Sequence, residues 1–431
     1  MREQQIPKEE YAWYKLDNAA KLYPAIMNNK WVAIFRVWVE LQEDIDPVLL
    51  QQALEKVTPR IQSFHLRLHR GMFWYYLESN HKIPHIQPDE DQPCMRMEIF
   101  GNNGYLFRVR YFQKRIALEV FHAIADGYGA TVFLKTLTAE YLRLKYNISI
   151  PAEKGVLDVN QPPDPEEMED AYGKYSKFGV LRSRKESTAY QVKGTPEPQQ
   201  IVHIISGYMP LDKLLTEAKK YGLSLTEYLV SVYIYVLDQH QRRENHFGKY
   251  KEVKVSVPVN MRRFYPSKTL RNFSMYVNPG INPNYGEFTF EEIASQVHHF
   301  MRGELNDKLL NARMAKNVSS ERNIITRVMP LFVKKWVLSL VYRLVGESRF
   351  TSTISNIGIF QVPDEMQEHI MHFGMMLGRQ RYNSLAAAVG SYRNELCMTF
   401  TRGIAESDVI QEYFTYLVKA GIPVKVESND E

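Results

Sequence analysis

Two habits of hydrophobic spacing alternate along this chain of 431 residues. "WVAIFRVWVE" (31–40), "SFHLRLHRGMFWYYLE" and "CMRMEIFGNNGYLFRVRYFQKRIALEVF" carry strand signals, short alternating runs broken at "GNNG" and "FQKR", and so predict a strand and a hairpin series. "DPVLLQQALEKVT" repeats its apolar residues at helical spacing, with Asp46 placed to cap and Pro47 at the first helical position. "TVFLKTLTAEYLRLKY" returns to the helical period. Beyond residue 200 the mixture recurs: strand "IVHIISGYM", helices "LDKLLTEAKKYG" and "SLTEYLVSVYIYVLDQHQ", the latter capped by Ser224, and strand "KEVKVSVPVN". Helical stretches at 289–305 and 330–345, strands "FTSTISNIG", "LAAAVGSYR" and "ELCMTFTRG", and a helix near 406–420 complete it. Strands and helices do not alternate regularly, so the pattern predicts an α+β fold rather than a doubly wound sheet. No internal sequence repeat relates the halves.

Residues 151–200 break the periodicity with "NQPPDPEEMEDAYGKYSKFG" and "KGTPEPQQ", rich in proline and charge. They read as a crossover linker between a unit at 1–150 and a unit at 201–431. The segment "PLFVKKWVLSLVYRLVG" (330–346) is the most apolar, but Lys334, Lys335 and Arg343 interrupt it well short of the roughly 18 to 20 apolar residues that span a bilayer. It is expected to pack in the core, with a basic helix on a membrane surface as the minor alternative.

Composition removes several function classes. The net charge of +5 is small and the basic residues are interleaved with acidic ones, so nucleic acid is not expected as a partner. Cys94 and Cys397 have no C-x-x-C or Cys/His metal-binding spacing, so neither a disulfide framework nor a metal is expected. With the polar start "MREQQIPKEEYAWYKLDNAA", these features fit a cytoplasmic protein. "DGYGATV" has Val132 where the third glycine of a dinucleotide fingerprint belongs, and there is no P-loop.

The chemistry concentrates in "FHAIADGYGA" (121–130). In a strand Ile116, Leu118, Val120 and His122 share one side, so His122 extends an apolar face, where a histidine is often only a satisfied member of the core. Asp126, Gly127 and Gly129 then follow in a short loop whose glycines permit the carboxylate to return near the ring. His298 and His299 lack this sequel and are read as structural.

"H122-A-I-A-D126-G127" resembles the HxxxDG signature of the CoA-dependent acyltransferase superfamily, which includes chloramphenicol acetyltransferase and peptide-synthetase condensation domains. "RGMFWYYLE", "RVRYFQKRIALEVFHAIADG", "VPVNMRRFYPSKTLRNF" and "TISNIG" occur in the order and spacing of bacterial alcohol acetyltransferases, so the likeness extends over nearly the whole chain. Phe121 stands where many relatives have a first histidine; the plant acyltransferases of the superfamily also lack it, and residue 121 faces away from the side of His122.

The resemblance implies two chloramphenicol-acetyltransferase-like subdomains, each a mixed sheet flanked by helices, with an active-site tunnel between them. It implies His122 as general base, and Asp126, next to Gly127, as a support that pairs with an arginine of the other half, Arg262 or else Arg263. It implies an oxyanion donor from a second-half strand; among Thr351, Ser352, Thr353, Ser355 and Asn356, the candidates are Ser355 and Asn356. No permanently bound cofactor is implied: acyl-CoA is a co-substrate, with a small or lipidic alcohol as acceptor. The aromatics of "FWYY" (73–76) could line an apolar acceptor channel, and the basic "GRQR" (378–381), "VNMRR" and "SRKES" could meet the phosphates of coenzyme A. Condensation of groups carried on an acyl carrier protein, or acyl binding without catalysis, are the alternatives.

Overall fold

The computed structural model describes residues 12–27, 33–89, 92–97, 102–177, 186–198, 201–245, 248–322 and 328–430. Its first sheet is built from β2 (Ile34–Leu41), β5 (Ile86–Pro88), β6 (Phe107–Phe112), β7 (Arg115–Phe121) and β13 (Ile370–Leu377), in the order β13-β2-β7-β6-β5. β2 and β7 run antiparallel, pairing Phe35 with Val120. Ile116, Leu118 and Val120 are wholly buried. Phe107, opposite Val120 in β6, lies against Phe133 of α3 (Gly127–Tyr146), so α3 covers this side of the sheet. α2 (Pro47–Arg60) packs against α3 and starts on the predicted cap, Asp46, whose side chain accepts from Val48 and Leu49. A small sheet of β1 (Trp13–Lys15), β4 (Tyr75–Ser79) and β3 (Leu66–Arg70) adjoins. α1 (Leu22–Ile26) follows β1.

The second sheet has the order β10-β9-β12-β14-β15-β8-β16: β8 (His203–Pro210), β9 (Val253–Asn260), β10 (Ser274–Val277), β12 (Ser352–Ile359), β14 (Leu385–Tyr392), β15 (Glu395–Arg402) and β16 (Lys425–Ser428), with β11 (Gly280–Ile281) on β9. β12 lies parallel to β9 and β14, which no hairpin can achieve. The segment between β9 and β12 carries the crossover, including α7 (Phe290–Glu304) and α8 (Asp307–Arg322). α6 (Leu225–Glu244) starts on Ser224, the cap expected from the sequence, which forms a capping box with Glu227. α4 (Ala171–Tyr175), α5 (Leu211–Lys220), α9 (Leu331–Val345), α10 (Asp364–Gln367) and α11 (Asp408–Lys419) complete the described helices of the chain.

The fold is therefore α+β, two sheet-bearing halves flanked by helices. Two large apolar cores form, one around the first sheet and one around the second. β13, although from residues 201–431, closes the first sheet, so the later half lends a strand to the earlier one. In the 151–200 stretch Glu167 accepts both terminal nitrogens of Arg60, and the Glu167 carbonyl accepts from Leu270, tying it to both halves. The 330–346 segment departs from expectation: it is a helix, but Phe332, Val333, Trp336, Val337, Leu340 and Val341 are exposed. The inward side carries Lys334, Ser339 and Tyr342, each hydrogen-bonded to the body of the protein.

The opposite face of the first sheet holds a buried ion cluster, which alternation alone does not announce. Glu119 of β7 accepts from Arg36 and Arg108 and from the Cys94 backbone, while Asp89 takes both terminal nitrogens of Arg36. Burial pushes the Glu119 pKa up, but Arg36, Arg108 and Arg110 outweigh it and hold the carboxyl below its usual range. Removing one side of a buried ion pair costs about 3–5 kcal/mol. Glu119→Ala should lose about that much in urea unfolding; a loss under about 1 kcal/mol would show that the cluster relaxes.

Candidate active site

β7 ends at Phe121, and the next residue meets the other half. The His122 backbone N–H donates to the Ala33 carbonyl, 2.8 Å away. Its ring stacks on Tyr23 of α1 at 4.7 Å and tilts against Phe35 at 4.9 Å. The ring lies deep among these aromatics yet is only part-buried. Burial holds its pKa below the ordinary imidazole value, although the Asn272 hydrogen bond and the Asp126 charge pull upward.

Asn272 is the residue that sequence reasoning missed. It lies in "TLRNF", just before β10, and its side chain comes across to β7. Its amide nitrogen donates to the His122 carbonyl at 2.9 Å and to Asp17 at 3.3 Å. Its oxygen therefore faces His122 Nδ1, 2.9 Å away. A carbonyl oxygen can only accept, so Nδ1 carries the proton and neutral His122 presents Nε2 as its basic lone pair. Asp17, 1 % exposed, also accepts from the Ala20 N–H at 2.8 Å. Burial raises its pKa to about 6, with Arg271 opposing. The chain "carboxylate, amide, imidazole" thus fixes one tautomer across the two halves. Nothing in the pattern of the sequence marks Asp17 or Asn272, because Asp17 meets Asn272, and Asn272 meets His122, only in three dimensions.

Asp126 does not touch this chain. It caps α3, where Oδ1 accepts from Gly129 N at 3.2 Å, while Oδ2 accepts from Phe273 N at 2.9 Å and Arg262 at 2.8 Å. Arg262 spends its other donors on Asn260 Oδ1 and on the carbonyls of Thr269 and Arg271. Its guanidinium also stacks on Tyr128, 4.5 Å from the ring centre. Arg263 is exposed. Asp126 and Arg262 thus pin the loop between His122 and α3 to the loop that carries Asn272. Gly127 leaves room: a Cβ there would come 3.1 Å from Ile357 Cδ1 of β12.

β12 sorts the proposed donors by face. Ile354 belongs to the second core, and Asn356 is turned to that side, its amide donating to Thr226 of α6 at 3.0 Å and its oxygen accepting from Gly358 N at 2.9 Å. Ser352 also faces α6, accepting from the Tyr233 hydroxyl. Thr353, Ser355 and Ile357 have the other parity, and Ala388, paired with Ser355 in β14, belongs to the first core. Ser355 is half-buried on this side, and its hydroxyl has no hydrogen-bond partner among the described residues. The geometry brings together His122, Asp126, Gly127 and Arg262, puts Ser355 on the face toward them, and turns Asn356 away. The Thr351 hydroxyl accepts from Lys254 N, and its backbone N–H donates to the Lys254 carbonyl.

The expected phosphate contacts do not gather. Arg379 is bonded to the carbonyls of Glu197, Pro198 and Gly403, and Arg381 to the Ile26 carbonyl and Ser339. Most of "SRKES" lies outside the described residues; Ser187 binds Lys254. Of the two described cavities, one of about 610 Å³ lies between α7 and α8, and one of about 230 Å³ lies beside the start of α11; His122 lines neither. Among the described residues no cluster could hold a metal ion.

A scan against family models matches none, and a search of curated proteins gives no match. Solved structures do match over the length of the chain. Polyketide synthase associated protein 5 from Mycobacterium tuberculosis is 14% identical, with 94% of this chain and 96% of that one covered at a TM-score of 0.62. Trichothecene 15-O-acetyltransferase TRI3 from Fusarium sporotrichioides is 10% identical, covering 94% and 93% at 0.59. The first condensation domain of the CDA synthetase is 13% identical, covering 95% and 96% at 0.56. The fold is thus the one shared by this acetyltransferase and this condensation domain.

If Asn272 sets the tautomer, Asn272→Asp should lower kcat, because a carboxylate beside Nδ1 favours the imidazolium, and should also lower thermal stability, because it faces the buried Asp17 carboxylate. Its pH–rate profile should move its acidic limb upward relative to the parent. An unshifted limb would show that Asn272 does not act on the ring. Arg262→Met leaves the buried Asp126 unpaired and should lower thermal stability by several degrees, with kcat falling more than KM rises.

Proposed function

We propose that this chain is an acyltransferase in which His122 Nε2 takes the proton from a hydroxyl as it attacks an acyl thioester. The observation that carries this reading is the fixed Nδ1–H of His122, held by Asn272, on a part-buried ring between the two halves. As the oxygen–carbon bond forms, the thioester carbonyl becomes an oxyanion; as the carbon–sulfur bond breaks, the proton held on Nε2 passes to the leaving sulfur, giving ester and thiol. Ser355, on the facing side of β12, is the donor offered to the oxyanion in place of Asn356. Asp126 and Arg262 act as positioning residues, since their hydrogen-bonding groups are spent on holding loops. A passage through the molecule at His122 belongs to this proposal, as does acyl-CoA as the donor and a small or lipidic alcohol as acceptor.

A condensation reaction, with acyl groups on a carrier protein, would use the same base. The free thiol distinguishes them: release from acyl-CoA that depends on added alcohol supports the proposal, whereas turnover only on carrier-bound thioesters selects condensation. No turnover on either, with binding of acyl ligands retained, would leave a non-catalytic acyl-binding protein. His122→Ala should fold as the parent does and lose roughly 10²- to 10⁴-fold in kcat, the range for removal of a general base. Because burial depresses the His122 pKa, the neutral base persists as the pH falls, so kcat/KM should hold its plateau down to below pH 6.5, the ordinary imidazole value. A limb centred above that value would contradict this.

A further inference from the structure

α9 is turned inside out. Seen down its axis, Phe332, Val333, Trp336, Val337, Leu340 and Val341 cover about half of the circumference at 100° per residue, and all are exposed, Phe332 by 68% and Trp336 by 79%. The other half, which an ordinary surface helix would make apolar, contains Lys334, Lys335, Ser339 and Tyr342 beside Leu331 and Leu338. Lys334 is 3% exposed, donates to the Phe73 carbonyl at 2.9 Å and sits 3.4 Å over the Trp74 ring, and burial lowers its pKa to about 8. Ser339 accepts from Arg381, and the Tyr342 hydroxyl donates to Glu347 at 2.7 Å. A helix held to the body by polar contacts, with its apolar half outward, has its exposed half available to a partner. The patch continues into the β3–β4 turn, where Met72 (71% exposed) and Phe73 are exposed and Met72 accepts from Leu331 N.

The chemistry of the face selects its occupant. From 328 to 346 the sequence has no acidic residue, while Arg343 is exposed among the apolar side chains and Lys335 borders them. Tryptophan at the most exposed position suits an interface between water and acyl chains. A second copy fits less well: a helix of 15 residues is about 22 Å long, and an arc of about 10 Å width gives a few hundred Å², below the roughly 800 Å² per partner of a stable dimer. We propose that α9 and the 72–73 turn lie on the surface of an anionic lipid bilayer, with the apolar half sunk to the headgroup–acyl boundary. No helix among the described residues is long and apolar enough to cross a membrane, so this is contact, not insertion. α9 packs on α1, whose Tyr23 stacks on His122, so docking would bring the proposed active site within two layers of the bilayer. This last clause rests on the proposed function; the docking does not.

The test is co-sedimentation of the full chain with vesicles of phosphatidylcholine, with and without phosphatidylglycerol, beside the double variant Phe332→Ser, Trp336→Ser. Both side chains are exposed, so the variant should melt with the parent. The parent should pellet with the anionic vesicles, more weakly with neutral ones, and the variant should partition at least about tenfold less. Equal partitioning of parent and variant, or none by the parent, overturns the proposal. So does a parent dimer, seen by sedimentation velocity without lipid, that the variant abolishes. Vesicle binding needs no substrate, so its failure leaves the acyl-transfer reading standing, and a dead enzyme that still binds vesicles separates the two.

Discussion

The arrangement depends on one amide. Asn272 donates to the backbone of His122 and to Asp17 and accepts a hydrogen bond from His122 Nδ1–H, so a single side chain sets the tautomer, the ring orientation and the seam between the two halves. An amide suits this task better than a carboxylate. It is both donor and acceptor with its ends distinguished by their partners, and it adds no charge beside a ring that is proposed to act as a neutral base. Asp126 and Arg262 serve the same seam from one turn away. Burying that pair is tolerable because its hydrogen-bonding groups are matched: the guanidinium donates to Asp126, Asn260 Oδ1 and the Thr269 and Arg271 carbonyls, and the carboxylate also accepts from the Gly129 and Phe273 N–H groups.

How much of this could be read from the sequence varies with the range of the interaction. Elements set by local signals were legible: the strand parity of Ile116, Leu118 and Val120, the Asp46 and Ser224 caps, the α+β mixture. The pairing of Asp126 with Arg262 was accessible only through the resemblance, as its residues lie 136 positions apart. Where the sequence signal is one-dimensional and the answer three-dimensional, it failed or stayed undecided. Ser355 and Asn356 are neighbours in the chain and opposite in space, and strand alternation does not say which face looks at His122; the pairing of Ser355 with Ala388 of the first core does. Asn272 and Asp17 carry no local mark at all.

The apolar segment at 330–346 shows the limit in another form. Hydrophobic periodicity reports that a helix has an apolar side, and core packing is the usual reason. It does not report which side the protein keeps for itself. Here the basic and hydroxyl side chains are the ones with partners inside, because Lys334 finds a carbonyl and an indole face, Ser339 an arginine and Tyr342 a buried glutamate. The outward apolar arc is thus a consequence of polar anchoring rather than a failure of packing.

Anchoring of this kind also constrains what α9 can do. A helix whose inward contacts are hydrogen bonds to fixed groups is held in rotation as well as position, since turning it by a third of a revolution would break the bonds of Lys334 to Phe73, Arg381 to Ser339 and Tyr342 to Glu347. Its outer arc therefore points in a defined direction relative to α1, and α1 relative to His122. Phe350, at the end of the same excursion, passes its carbonyl to Gln191 and Asn383 and leads directly into β12, the strand that carries Ser355. One continuous stretch, 331 to 359, thus joins the exposed apolar face to the strand facing the proposed catalytic base, which gives the two proposals a common mechanical frame although either can stand without the other.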